Sequence, residues 1–114
     1  MTTLSKPKPG EIWLAYLEYS DKPGIGKVRP VLILEEESKK VVVLAAKVTS
    51  VRSCDNSTQV ELKNWSSYGL VKPSFVRTNQ KFRVSLDKIL GDKPLGKLEN
   101  ELFEKIFDAI KAVP

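Results

Sequence analysis

The sequence predicts a mainly β protein, an antiparallel β-barrel of about six short strands with one C-terminal α-helix. Two observations carry that expectation. Branched and aromatic residues fall in short runs broken by seven prolines and six glycines spread along the chain, the punctuation of short strands rather than of a helical bundle. Only one segment, at the end, repeats its apolar residues at three- and four-residue spacing. At 114 residues the chain is sized for one core that buries roughly two thirds of the unfolded surface. Residues 9–114 are therefore expected to form a single domain behind a flexible N-terminal segment, residues 1–8.

Pro9-Gly10 marks a turn, and Glu11–Tyr19 (EIWLAYLEY) reads as the first strand because aromatic and branched residues suit a pleated surface. Ser20–Lys27 (SDKPGIGK) has the composition of a mobile loop that exposes backbone N–H groups. It is not a phosphate-binding P-loop, since neither GK[ST] nor a helix follows. Val28–Leu34 and Val41–Val48 are continuous apolar runs, hence central strands, joined by the polar stretch Glu35–Lys40. Thr49–Ser57 forms a second loop, and Thr58–Leu62 alternates as a short strand. Asn64–Gly69 is a turn or single helical turn ending on glycine, while Pro73 makes Leu70–Val76 an edge strand or one that starts after the proline. Arg77–Lys97 reads as two short strands with a tight turn between them. Asn100–Val113 is the helix: Leu102, Phe103, Ile106, Phe107, Ile110 and Val113 share one stripe, with Glu104, Lys105, Asp108 and Lys111 on the other side. Glu99 or Asn100 can cap it, and Lys111 near its end suits the helix dipole.

Nineteen Lys and Arg against fourteen Asp and Glu leave a net charge of +5, which favours polyanionic partners such as nucleic acid. Cys54 is the only cysteine and the chain has no histidine. An intramolecular disulfide is therefore impossible, a Cys–His nucleophile is excluded, and a transition-metal site is not expected. The start, MTTLSKPKPGEIW, carries no apolar segment of secretory length and no later run approaches a membrane span. These features predict a cytoplasmic protein with no membrane partner.

Chemistry is expected where the apolar strands end in polar residues. In Lys27-Val28-Arg29-Pro30, an arginine stands at the mouth of a central strand, and its planar fork of donors suits a phosphate at any accessible pH. Two strands joined by a polar connection place the start of one beside the end of the other, so Val28-Arg29 and Val48-Thr49 are expected side by side. The Thr49 hydroxyl can then hydrogen-bond the same phosphate. Arg77, Asn79 and Gln80 after the next apolar strand form a third polar group able to contact a backbone or base edge. The competing assignments are a surface ion pair of Arg29 with Glu18 or Asp21, an ordinary strand-end threonine, and a hydrated turn. Trp13, Trp65, Tyr68 and Phe75 are either stacking platforms for bases or core residues.

An ordered set of segments resembles a known family. Pro9-Gly10-Glu11-Ile12-Trp13, Lys27-Val28-Arg29-Pro30, Val48-Thr49-Ser50, Gly69-Leu70 with Lys72-Pro73-Ser74-Phe75-Val76-Arg77, and Leu95-Gly96-Lys97-Leu98 before a terminal helix are together similar to the MazF/PemK toxins of bacterial toxin–antitoxin systems. The resemblance implies an SH3-like barrel with a C-terminal helix and a homodimer. It also implies a metal- and cofactor-independent endoribonuclease, an mRNA interferase that cuts single-stranded RNA at short sequences. Attack of the ribose 2′-hydroxyl would leave a 2′,3′-cyclic phosphate and a 5′-hydroxyl, and a cognate antitoxin with an acidic flexible tail would block the RNA groove.

By position, the family's active-site arginine and threonine fall on Arg29 and Thr49, and a further active-site arginine falls on Arg77. Lys27, Ser50, Arg52, Asn79 and Gln80 are then the expected RNA contacts. Asn79 stands where one branch has an aspartate, and that branch's histidine is absent, so Glu18, Asp21 and Asp55 are the carboxylates on the nearby loops. Two alternatives share the resemblance. One is an RNA-binding or regulatory module with weakened catalysis; the other is a gyrase-poison-like toxin that binds a protein, whose branch ends in a Trp-Gly-Ile tail where this chain ends in Lys111-Ala112-Val113-Pro114.

Overall fold

Two long antiparallel strands form the spine of the molecule: β1 (Glu11–Tyr19) and β2 (Lys22–Glu37). The computed structural model describes residues 7–19, 22–37, 42–51, 54, 56–79 and 81–112. Along them follow β3 (Val42–Thr49), β4 (Gln59–Leu62), β5 (Ser74–Arg77), β6 (Phe82–Ser85), β7 (Ile89–Leu90), β8 (Gly96–Lys97) and the helix α1 (Asn100–Lys111). Single 3-10 turns occupy Asn56–Thr58, Trp65–Tyr68 and Leu86–Lys88.

All pairings are antiparallel, and the sheet runs β4-β5-β3-β2-β1-β7, with β6 added to β3 and β8 added to β1. Among the described residues β4 and β7, the ends of that path, do not pair with each other, so the sheet is not closed into the expected barrel. The end strands are four and two residues long, which leaves little edge with which to close. The mainly antiparallel β architecture and the terminal helix are as expected.

The central apolar runs are continuous because both faces of the sheet are covered. Leu32 and Leu34 of β2 point to one face and join Ile12, Ala46, Val48, Val76, Ile106 and Ile110 beneath α1. Val31 and Ile33 alternate to the opposite face and join Trp13, Ala15, Ala45 and Val84. Trp13, Tyr68 and Phe75 are buried and Trp65 packs against the helix-side core. These aromatic rings hold the fold and are not stacking platforms for bases.

Two expectations need correction, and the choice left open for Leu70–Val76 is decided in favour of a strand that starts after the proline. Within Ser20–Lys27 the described part is strand, not loop: β2 begins at Lys22, with Leu17 opposite Lys27 and Glu18 opposite Gly26. A Cβ at Gly26 would lie 2.2 Å from the Leu17 carbonyl oxygen, so this glycine permits close strand contact where it had suggested flexibility. β5 starts directly after Pro73, yet it lies between β4 and β3, and the edge belongs to β4. The proline precedes the ladder and costs it no bond. Finally, Arg77–Lys97 holds three short strands, since Gly96–Lys97 returns to pair with β1. The connection Glu35–Lys40 is strand through Glu37, and residues 38–41 lie outside the described residues.

Candidate functional site

The pairing of β2 with β3 begins at Val31 opposite Lys47. On the other side of that pair the two strands part. β2 continues along β1, where Arg29 faces Ala15, while Val48 and Thr49 of β3 pair with Val76 and Phe75 of β5. Pro30, which has no N–H to donate, sits where β2 loses β3. The gap is an open hollow of about 420 Å³ between β2, β3, β5 and the segment before β5.

Strand parity decides what enters it. Arg29 and Val31 share a face of β2, Lys47 and Thr49 share the same face of β3, and continuing the register by two pairs places Arg29 across from Thr49. Arg29, Thr49, Ser50 and Arg77 line the hollow together, with Lys47 and Lys72. Arg29 therefore lies mid-strand in β2, exposed because its neighbour strand has left rather than because its own strand has ended.

Arg77 is held by two bonds. Its Nη1 donates to Gln59 Oε1 at 2.9 Å and its Nη2 to the Val51 carbonyl at 2.7 Å. The Val51 N–H in turn donates to Thr49 Oγ1 at 3.1 Å. Val51 thus ties the threonine to the arginine, and the hydroxyl oxygen is occupied as an acceptor while its hydrogen is left to donate. Two of five guanidinium donors are committed at Arg77. The Arg29 side chain makes no ion pair or hydrogen bond among the described residues. Glu18, the proposed surface partner, is instead 3.9 Å from Lys88 Nζ and accepts from the Gly24 N–H at 3.3 Å.

The lining is electrically one-sided. Arg29, Lys47, Lys72 and Arg77 contribute four cations, and among the described residues no Asp or Glu lines the hollow. Such a field attracts a polyanion, and a fork-shaped donor such as Arg77 suits a phosphate. Groups of His, Cys, Asp or Glu able to hold a metal do not occur among the described residues. No described helix is long and apolar enough to cross a membrane.

The other residues singled out from sequence fall elsewhere. Lys27 lines an adjoining hollow that shares Arg29 and Lys47. Asn79 is exposed beyond β5 and lines neither. Arg52, Gln80, Asp21 and Asp55 lie outside the described residues. Sequence reasoning passed over Lys47 and Lys72. The signal for Lys47 was available, as it is a charge inside the apolar run Val41–Val48.

Residues 8–113 match the model of a family described as PemK-like, MazF-like toxin of type II toxin–antitoxin system. Among solved structures, the Mycobacterium tuberculosis toxin MazF-mt6 is 28% identical with a TM-score of 0.63, covering 88% of this chain and 91% of that one. A mycobacterial endoribonuclease in complex with its cognate antitoxin shares 19% identity and a TM-score of 0.67, over 92% of this chain and 91% of that one. The MazE-MazF structure from Deinococcus radiodurans shares the fold at 13% identity, TM-score 0.70, over 93% and 94% of the two chains. Among curated proteins none matches the chain.

Proposed function

Because the chain belongs to the PemK-like, MazF-like toxin family of type II toxin–antitoxin systems, we propose that it is a toxin that cleaves single-stranded RNA at short sequences. The observation that supports this most is the convergence of Arg29, Thr49 and Arg77 on one hollow lined by cations and, among the described residues, by no carboxylate. The reaction is transesterification. The ribose 2′-oxygen forms a bond to the adjacent phosphorus as it loses its proton, the P–O5′ bond breaks, and the 5′-oxygen gains a proton. The products are a 2′,3′-cyclic phosphate and a 5′-hydroxyl, and no metal is needed because the nucleophile is the substrate's own hydroxyl.

Arg29 and Arg77 stabilise the charge that develops on the phosphorane, the term that fixed donors serve best. Thr49 donates to a phosphate oxygen. Glu18 is the one carboxylate lining either hollow among the described residues. The same reading includes a cytoplasmic homodimer blocked by a cognate antitoxin whose acidic tail enters the cationic hollow. An SH3-like barrel left open between β4 and β7 belongs to it as well, supported by the way β3 divides its partners between β2, β6 and β5.

The test is incubation of purified protein with a long single-stranded RNA in EDTA. Discrete fragments with 5′-hydroxyl ends are expected, and Arg29→Ala and Thr49→Ala are each expected to slow cutting about 10²–10³-fold. Full activity in both variants removes these residues from the site. The lack of a carboxylate among the described residues of the hollow favours a second reading, an RNA-binding module of the same fold. Binding without cutting in this experiment would establish it.

A further inference from the structure

The hollow that holds Arg29, Thr49 and Arg77 continues past them. Arg29 and Lys47 also line a second hollow, of about 590 Å³, which extends along β1 and β2 past Lys27 toward Glu18 and Lys88. Lys27 and Arg29 are two residues apart on β2 and so share a face, with backbones about 6.8 Å apart. Lys47, opposite Val31, shares that face too. All three are exposed, and the one carboxylate of the second hollow among the described residues, Glu18, is turned to Lys88 at its far end.

Folding does not call for Lys47. Its row holds Trp13 and Val31, its strand neighbour on the same face is Ala45, and all three are buried in one apolar cluster. An alanine or valine would extend that cluster without adding a charge beside Arg29. The position makes sense if something anionic crosses it.

We propose that Lys47 and Lys27 form a second phosphate subsite, which takes the phosphate next to the one held by Arg29, Thr49 and Arg77. Single-stranded RNA then runs along the β2 face, with Lys47 at the junction of the hollows. This rests on the RNA-cleaving reading above. A positively charged groove that follows a strand's backbone binds without reading its bases, so the subsite supplies affinity and register while base choice lies elsewhere.

The test uses a single-stranded RNA whose cut site has been mapped, together with two RNAs carrying an uncharged methylphosphonate on either side of the cut. Lys47→Ala is expected to raise KM about tenfold with kcat nearly unchanged. The slope of log KM against log salt should fall by about 0.7, the value for one phosphate contact on a single strand. Lys47→Arg should restore both. On one of the methylphosphonate RNAs the wild type should bind as weakly as Lys47→Ala, and the substitution should cost nothing more. The proposal is overturned if Lys47→Ala leaves KM and the salt slope unchanged, if kcat falls with KM intact, or if the penalty persists on both methylphosphonate RNAs. Equilibrium binding of the same RNAs is measured alongside. A protein that binds without cutting refutes the cleavage reading, yet the Kd values still decide the subsite by the same comparisons; one that does neither overturns both.

Discussion

The two sides of the sheet carry charge in opposite ways. The hollow between β2, β3 and β5 gathers Arg29, Lys47, Lys72 and Arg77 with no carboxylate among the described residues. A hollow of about 680 Å³ between β4, the Trp65–Tyr68 turn and α1 instead mixes Glu61, Glu99 and Glu101 with Lys63 and Lys105. On the helix side, polar groups join elements to one another. The Tyr68 hydroxyl donates to the Glu99 carboxylate, which ties the turn before β5 to the start of the helix. On the other side, charges are held close together with little in the fold to balance them. Like charges repel, so an arrangement that folding does not need points to a polyanionic ligand that supplies the balance.

The sharpest way to break this contrast is Arg77→Ala. It removes a donor from the cationic hollow together with its bonds to Gln59 Oε1 and the Val51 carbonyl. RNA cleavage should fall about 10²-fold or more, and thermal melting should show a lowered stability as well. A variant that melts lower but cuts normally would make Arg77 structural only.

Gly69→Ala probes the other side. Gly69 adopts φ +77° after the Trp65–Tyr68 turn, and an added Cβ would lie 2.4 Å from the Leu95 carbonyl oxygen. Crowding of this kind costs about 1–3 kcal/mol, to be read as a drop in denaturant midpoint. An unchanged midpoint would mean that the turn shifts freely.

Smaller effects separate the two hollows by charge alone. Lys72→Ala should lower the salt dependence of RNA binding by about 0.7 in log–log slope, whereas Lys105→Ala should leave it at the wild-type value. Equal effects of the two lysines would erase the asymmetry.

The smallest effect concerns Tyr68. Burial, and then its bond to Glu99, push the Tyr68 phenol up to about 12. That same bond is the main reason the Glu99 carboxyl sits below its ordinary range. The raised phenol stabilises the fold fully below its ordinary value of 10.0 and ceases to do so as pH rises through about 12. The lowered carboxyl stabilises above the ordinary carboxylate range, and that contribution is lost as pH falls through it. Tyr68→Phe should therefore melt a few degrees lower at neutral pH. The gap to wild type should narrow in acid and in strong base, with RNA cleavage unchanged. A gap independent of pH would show that the hydroxyl acts without the Glu99 charge.

Much of the fold was legible in the residues. The EIWLAYLEY strand has its expected bounds, the turn of Asn64–Gly69 ends on a left-handed glycine, and Ile106 and Ile110 of the helical stripe are buried. What escaped was the role of residues whose local preference was overruled by a partner. Lys22–Lys27 looks like a loop until β1 lies beside it, and Pro23, Gly24 and Gly26 carry no local sign that a strand will pair there. Arg29, Thr49 and Arg77 were individually visible as polar residues beside apolar runs. Lys47 was legible as a charge inside the apolar run Val41–Val48, whereas Lys72 stood only as part of an ordered motif.

The amino-acid sequence by itself determined the strand-rich class, the terminal helix and the family. Periodicity, turn residues and ordered short motifs are local properties that survive without knowledge of neighbours. The tertiary structure alone decided that β3 leaves β2 at Lys47. That parting exposes Arg29 in mid-strand and brings it to the same hollow as Thr49 and Arg77. Which strand a residue pairs with depends on contacts distant in the chain, and the chain's order does not record where two paired strands will separate.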